Sequence, residues 1–244
     1  MILVAHNFLL YRILKGDIKV NTKNNIAIVV AHPDDEALGI AGTLIKHVQS
    51  QDNVFVIILS KGEDAKISNK SKNKDREANA RKWSQFIGAN LYSFYDFPDQ
   101  RLDQVPELDI VKCLENDFNK IKPDIVYIHH LGDINKDHAV SAKATLVALR
   151  PMGGKTPEIR SFETPSSTDQ APYINDFLFL PNLYISIEKY WHLKEESLNI
   201  YKKELNDAPH PRSIEAIKAL AIKRGAESGF IMAEAFCIIR KLIE

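Results

Sequence analysis

Four ionisable side chains lie close together in the segment His32 to Glu36, which reads His-Pro-Asp-Asp-Glu. They come directly after the apolar, β-branched run Ile26 to Ala31, which predicts a strand buried on both faces of a parallel sheet. Ligands of open α/β sheets bind at the carboxyl ends of the strands, which is where this segment is expected to lie. These side chains are therefore candidates for catalysis or metal binding.

His32 and Asp35 offer an imidazole and a carboxylate three residues apart, and both can contact one metal ion from such a turn. Zinc commonly takes these ligands and, in hydrolases, keeps one coordination position for water. Asp34 would point elsewhere and could take a proton from that water as a general base. The alternative is that Asp34 or Asp35 only caps the following helix. The preceding His-Pro and the buried strand favour the metal site.

A catalytic zinc site usually has a third protein ligand, and the loop after the apolar run Ile125 to Ile128 can supply it. His138 stands there in front of a predicted helix. His129 and His130 are second choices, because neighbouring residues on a strand point to opposite faces. The preferred set of metal ligands is His32, Asp35 and His138.

Apolar runs alternate with helix-length amphipathic segments along the first part of the chain. Strands are predicted at Ile26–Ala31, Val54–Leu59, Leu91–Phe97 and Ile125–Ile128. Helices are predicted at Leu38–Val48, Arg76–Ile87, Val105–Ile121 and Ala139–Leu149. This order predicts an α/β protein with a Rossmann-like, open, mostly parallel sheet and helices on both faces. We expect one domain over residues 1–244, with its core at about 26–150 and substrate-framing loops and C-terminal helices over 151–244.

The second part of the chain has a different composition. Pro151 to Ala171 is rich in Pro, Gly, Ser and Thr and predicts a long ordered loop or a lid, in which Glu163 to Thr168 could frame a substrate. A further strand is expected at Tyr184 to Glu188. Two helices are expected at Tyr190 to Leu205 and Ser213 to Gly225.

Composition excludes several classes of protein. The 32 Lys plus Arg residues balance 32 Asp plus Glu residues, which argues against bulk electrostatic binding to nucleic acid or anionic membranes. No stretch approaches the roughly 18 apolar residues of a membrane helix, and the N-terminus lacks the basic region and cleavage site of a signal peptide. Two distant cysteines, Cys113 and Cys237, are typical of reduced thiols. We expect a cytoplasmic protein with no nucleic-acid partner and no transmembrane segment.

The sequence resembles the PIG-L/LmbE-like zinc-dependent N-acetylglucosaminyl deacetylases. The resemblance rests on His-Pro-Asp-Asp-Glu after the first strand and on Asp137-His138 before a later helix, and it runs from about Ile26 to about Phe236. It implies a Rossmann-like fold and the same ligand and base residues as those chosen above. It also implies a divalent metal, usually Zn²⁺ with Fe²⁺ as an alternative, and hydrolysis of the N-acetyl group of an amino sugar or its conjugate.

The resemblance also implies residues that contact the substrate. Arg76 and Asp99 match family positions near the sugar, although Arg76 could be an exposed helix residue and Asp99 a turn former. Many members carry an oxyanion-stabilising histidine where this chain has Asn135, which we expect to contact the substrate instead. His210, in Pro209 to Ser213, is then the candidate oxyanion donor. Its alternative role is to cap or pack in a Pro-rich turn.

Two other functions stay open at this point. One is an amidase acting on a thiol conjugate or another small N-acyl compound, since shared metal chemistry does not separate such substrates. The other is a non-catalytic sugar-binding protein. A dinucleotide-binding enzyme is disfavoured, because no Gly-x-Gly-x-x-Gly follows the first strand. A homo-oligomer is also an open alternative, because some relatives complete their sites across subunits.

Overall fold

The computed structural model describes residues 23–62, 74–152 and 155–243. Its strands are β1 (Asn25–Val30), β2 (Asn53–Ser60), β3 (Asn90–Phe97), β4 (Ile125–His129), β5 (Glu158–Phe162), β6 (Leu183–Ser186) and β7 (Ala233–Arg240). Its α-helices are α1 (Asp35–Gln49), α2 (Lys74–Ile87), α3 (Glu107–Ile121), α4 (Lys136–Ala148), α5 (Trp191–Leu198) and α6 (Ile214–Ser228). Short 3₁₀ helices lie at Leu102–Gln104, Glu188–Tyr190 and Asn199–Glu204.

The strands form one sheet in the order β3-β2-β1-β4-β5-β7-β6. The five strands from β3 to β5 are parallel, and β7 runs antiparallel to β5 and β6. Helices α1, α2, α5 and α6 contribute to the apolar core on one face, and α3 and α4 contribute to the core on the other. The predicted α/β class, with an open, mostly parallel sheet and helices on both faces, is confirmed.

One prediction about the chain after Arg150 is wrong. Residues 151–171 are not a loop throughout, because Glu158–Phe162 forms β5 in the middle of the sheet. Only Ile159 and Phe162 are apolar in this strand of five residues, so it lacks the long apolar run that marked the other strands. The sequence analysis also did not predict β7, which pairs with β5 and closes this part of the sheet.

Some predictions fall outside the described residues. One is the set of statements about the N-terminal segment. Another is the solvated loop that the polar, basic sequence of residues 68–74 predicts, of which the structure describes only the last residue. Among the residues that the structure describes, no helix combines the length and the apolar character needed to cross a bilayer.

Helix α1 carries Asp35 at its start and is interrupted at Ile40, whose φ of −135° and ψ of 23° are not helical. The interruption leaves backbone groups in the middle of a buried helix without their usual partners. Lys194 of α5 supplies partners for the groups that precede Ile40, because its Nζ donates to the carbonyl oxygens of Leu38 (3.3 Å) and Gly39 (3.4 Å).

Glu234 of β7 supplies partners for the backbone groups that follow Ile40. Its carboxylate accepts from the backbone N–H groups of Gly42 (3.0 Å) and Thr43 (2.7 Å) and from Lys194 Nζ (2.6 Å). Lys194 and Glu234 are only 2 % and 6 % exposed, so this ion pair is buried. It ties α1, and with it the segment of the candidate site, to α5 and β7.

We predict that Lys194→Met lowers the free energy of unfolding by about 3–5 kcal/mol, because it leaves the Glu234 carboxylate buried and uncompensated. Urea denaturation measures the change. Lys143→Met is the control, because Lys143 makes an exposed ion pair with Glu107 that should contribute at most about 1 kcal/mol. Equal effects of the two substitutions would contradict the role given to the buried pair.

Candidate active site

The two polar segments singled out in the sequence meet at one edge of the sheet. β1 and β4 pair in parallel, with Ile28 opposite Tyr127, so their carboxyl ends lie side by side. The turn before α1 follows β1, and the loop before α4 follows β4. Side chains about 100 residues apart in sequence therefore converge at the position where open α/β sheets bind ligands.

The structure brings His32, Asp35 and His138 together. One ligand atom from each of the three lies within 4.8 Å of the others, and the three residues are at most 5 % exposed. Asp35 Oδ2 lies 3.4 Å from His32 Nδ1 and 3.3 Å from His138 Nε2. An imidazole, a carboxylate and a second imidazole thus face one point, which is a ligand set that a divalent metal such as zinc accepts.

Two buried atoms of this group fit a cation. Asp35 Oδ1 and His138 Nε2 are inaccessible to solvent, and neither makes a hydrogen bond to any residue that the structure describes. Buried polar atoms in native proteins nearly always have such a partner. A metal ion would satisfy both atoms at once.

The pKa shifts of Asp35 and His138 also indicate that a positive charge is stabilised at this position. Burial raises the pKa of Asp35, but the neighbouring His138 and His129 hold that pKa well below its usual range. Burial lowers the pKa of His138, but Asp35 and Asp133 raise it to about 9. The carboxylates thus hold a proton on His138, and a bound metal ion would displace that proton.

The two second-choice histidines point in different directions, as the alternation along a strand predicts. His129 is fully buried, and its Nε2 lies 3.4 Å from Asp35 Oδ2 and accepts from the backbone N–H of Ala31 (3.1 Å). Burial and the charge of His138 lower the pKa of His129 to about 4. His130 turns away, and its Nε2 contacts the carbonyl oxygen of Phe177 at 3.3 Å.

Asp34 occupies the N-cap position of α1 but makes no capping hydrogen bond with its side chain. Its φ of 119° lies in a region that residues other than glycine rarely adopt, and such strain is common at functional sites. The buried carboxylate instead contacts Arg212 at 3.1 Å and Arg76 at 3.7 Å. Burial raises the pKa of Asp34 to about 6, although Arg212 opposes the shift.

Glu36 holds the unusual backbone of Asp34 in place. Glu36 Oε2 accepts from the backbone N–H of Asp34 at 3.1 Å, and the Tyr201 hydroxyl donates to Glu36 Oε1 at 2.5 Å. Both Glu36 and Tyr201 are at most 1 % exposed. Tyr201 lies in the segment Asn199–Glu204, so the C-terminal half of the chain supports the turn that carries Asp34.

The other predicted site residues lie at different distances from this group. Asp99 is buried, and its Oδ1 lies 3.2 Å from His32 Nε2. Arg76 contacts Asp34 and forms a 2.6 Å ion pair with Glu204. The Asn135 side chain caps α4 by accepting from the backbone N–H of Asp137. Contacts of these residues with a substrate stay predictions.

His210 lies on the surface of the protein. Its Nδ1 accepts from the backbone N–H of Arg212 at 3.0 Å, and the backbone N–H of His210 donates to the carbonyl of Asp207 at 3.1 Å. The catalytic role of His210 stays a prediction, while the nearby Arg212 contacts Asp34 directly.

Sequence reasoning gave no role to several residues of the site. Asp137 Oδ2 lies 3.1 Å from His32 Nε2, and Asp133 Oδ2 lies 3.1 Å from His138 Nδ1. A carboxylate behind a metal-binding histidine is a common arrangement, so both aspartates could have been suspected from their closeness to His138 in sequence. Arg212 and Tyr201 approach the site from far along the chain. The segment Pro209 to Ser213 was singled out for His210, but the sequence assigned no role to Arg212 or to Tyr201.

Comparison with known proteins identifies the family. The family model described as GlcNAc-PI de-N-acetylase (PIG-L) matches residues 27–149, which include both polar segments of the site. The chain belongs to the PIG-L family of deacetylases. Family membership supports a hydrolase that acts on amide bonds. The resemblance to this family seen in the sequence is confirmed.

Individual relatives are more distant. The "Uncharacterized deacetylase YaiS" of Escherichia coli (strain K12) is 27% identical over 188 residues, which are 75% of this chain and 92% of the relative. An N,N'-diacetylchitobiose deacetylase from Pyrococcus horikoshii has a similar fold, with a TM-score of 0.70, 16% identity and coverage of 98% of this chain and 93% of that one.

A second solved structure has the same fold and a different activity. GalB, the 4-carboxy-2-hydroxymuconate hydratase from Pseudomonas putida KT2440, has a TM-score of 0.74 at 18% identity and covers 91% of this chain and 98% of its own. At such identities the likeness shows the fold alone.

We predict that Tyr201→Phe lowers the free energy of unfolding by about 1–3 kcal/mol, because the buried Glu36 loses a hydrogen-bond donor, and also slows turnover, because Glu36 positions Asp34. Tyr95→Phe is the matched control, since Tyr95 donates to Asp117 away from the site. It should lower stability with no change in kcat. Equal kcat values for the two variants would contradict the role of Glu36.

Proposed function

We propose that this protein is a metal-dependent hydrolase that removes the N-acetyl group from an amino sugar or its conjugate. The observation that carries the proposal is the convergence of His32, Asp35 and His138 next to the carboxylate of Asp34, with two buried atoms that make no hydrogen bond to any described residue. Membership of the PIG-L family supports the reaction class.

In this proposal His32, Asp35 and His138 hold the metal, with Zn²⁺ as the first choice and Fe²⁺ as an alternative. His32 would offer Nδ1, since its Nε2 faces Asp99 and Asp137, and His138 would offer Nε2. When bound, zinc would lower the pKa of water to about 7 and polarise the acetyl carbonyl. Three protein ligands would leave a coordination position for water, as catalytic zinc sites do.

Asp34 is the proposed general base. It would accept the proton of the attacking water at its carboxylate and return a proton to the departing amine. Arg212 and Arg76 restrict the orientation of this carboxylate, and the backbone turn of Asp34 is held by Glu36. These contacts fix Asp34 before the substrate arrives.

His210 is the proposed donor to the oxyanion of the tetrahedral intermediate. Because its Nδ1 accepts from the backbone N–H of Arg212, the proton of the neutral ring belongs on Nε2, where it can be donated. Arg76, Asp99 and Asn135 are the proposed substrate contacts. Asp99 and Arg76 lie beside His32 and Asp34, respectively, which supports this assignment.

The rest of the chain fits one enzyme domain. We propose that residues 1–244 act as a unit, because β5, β6 and β7 complete the sheet begun by the first four strands. The free cysteines Cys113 and Cys237 support a cytoplasmic location. The proposed partner is a small N-acetyl amino sugar or its conjugate, and the whole chain could act as a homo-oligomer.

An acetate-release screen tests the proposed reaction. We expect the protein to release acetate and free amine in equal amounts from at least one N-acetyl amino sugar, tested as free sugar, nucleotide sugar and glycolipid. Activity should be lost after chelation and return with added zinc, because the three ligands hold the metal. N-acyl thiol conjugates form a separate arm. Full activity in protein shown to contain no metal would contradict the proposal.

The role of Asp34 is tested by Asp34→Asn. Asparagine tolerates positive φ, so the turn should persist and zinc should still bind one per chain. We expect kcat to fall by about 10²- to 10⁴-fold, because the general base is lost. Metal content by elemental analysis and steady-state kinetics measure the two properties. A variant with near-normal kcat would show that Asp34 is not the base.

A further inference from the structure

Asp133 makes one hydrogen bond within the turn before α4 and three further contacts outside that turn. It is 4 % exposed and lies between β4 and α4. Its Oδ1 accepts from the backbone N–H of Asn135 at 2.8 Å. Its Oδ2 lies 3.1 Å from His138 Nδ1 and accepts from the hydroxyls of Ser167 (2.9 Å) and Thr168 (2.7 Å).

The contact with His138 determines which ring nitrogen can bind a metal. A carboxylate is an acceptor only, so it places the ring proton on Nδ1. Nε2, which lies 3.3 Å from Asp35 Oδ2, then carries the lone pair. The same contact fixes the orientation of the ring and makes the nitrogen a stronger ligand.

The two hydroxyls hold Asp133 in this position, and both belong to the loop after β5. Thr168 Oγ1 accepts from the backbone N–H of Thr164 at 2.8 Å, so its own hydrogen is directed to Asp133. Thr164 Oγ1 lies 3.2 Å from Nδ1 of His129, so the loop also contacts the second buried histidine. Ser167 and Thr168 are themselves buried.

This loop is held from its other side by an ion pair. Arg224 of α6 contacts Glu163 through two parallel hydrogen bonds of 2.7 Å each. Paired bonds of this kind fix geometry as well as adding stability. A continuous set of contacts therefore runs from α6 through the loop and Asp133 to His138.

We infer that Asp133 is a positioning residue for the metal and sets the metal affinity of the site by orienting His138. The hydroxyls of Ser167 and Thr168 hold Asp133 in place. The inference rests on the proposed function, because it requires His138 to be a metal ligand. It gives the Ser/Thr-rich loop after β5 a role that differs from framing a substrate. The loop stabilises the metal ligand His138 through its hydrogen bonds to Asp133.

The test compares the zinc dissociation constants of metal-free, full-length variants by competition with a fluorescent chelator. Asp133→Asn should weaken zinc binding by about 10- to 100-fold, because the amide can no longer act as an anionic acceptor. Thr168→Val, which keeps the side-chain shape and does not touch His138, should cause a smaller loss. Asp117→Asn is the matched control, since Asp117 is a buried carboxylate bonded to Tyr95 and should keep the wild-type affinity.

A second readout separates positioning from a general loss of stability. In zinc-loaded protein labelled with ¹⁵N-histidine, wild type and Asp117→Asn should show a slowly exchanging ring N–H proton that Asp133→Asn shifts or loses. Unchanged zinc affinity in Asp133→Asn would overturn the inference. If that variant does not fold, unchanged affinity in Thr168→Val overturns it and weakened affinity supports it. Failure of the wild-type protein to bind zinc would instead overturn the proposed function on which the inference rests.

Discussion

Among the described residues, six acidic side chains are buried at the edge of the sheet where β1 and β4 end, and each of them must be paired, hydrogen-bonded or protonated inside the protein. They are Asp34, Asp35, Glu36, Asp99, Asp133 and Asp137, and none is more than 4 % exposed. An unpaired buried carboxylate is costly, so each one needs a hydrogen-bond donor or a cation. Arginines, histidines, hydroxyls and backbone N–H groups supply most of the compensation. Asp35 Oδ1 stays without a hydrogen bond within the described part of the chain, which is why a metal ion fits there.

The surrounding fold supports this concentration of charge. Parallel pairing of β1 with β4 brings the two acidic turns together, and the interrupted helix α1 is held by the buried Lys194–Glu234 pair. Elements from the C-terminal half then contact each part of the group. Tyr201 reaches Glu36, Arg212 reaches Asp34, and the loop after β5 reaches Asp133. The late part of the chain is thus a structural part of the site.

Much of this could be predicted from the sequence, for physical reasons that also explain the failures. Strands such as β1 were predicted correctly because burial on both faces requires a continuous apolar run. β5 was missed because it is short and half polar. The convergence of His32, Asp35 and His138 could be predicted because each follows a strand at the carboxyl edge of the sheet. Arg212 was missed because its distance from Asp34 is a property of the tertiary fold alone.

The fold by itself does not decide the reaction, since a deacetylase and a hydratase both share it. In the function proposed above, the ligand set, the base and the groups that hold them decide it. A metal ion with an open coordination position beside Asp34 would suit attack of water on an amide carbonyl. The central claim is therefore that one cation binds between the turns that follow β1 and β4.

Anomalous diffraction at the zinc absorption edge, recorded from crystals of the zinc-loaded protein, tests this claim directly. We expect one strong peak within about 2.0–2.2 Å of His32 Nδ1, an Asp35 carboxylate oxygen and His138 Nε2. A peak held by other residues, or none at these three side chains, would contradict it.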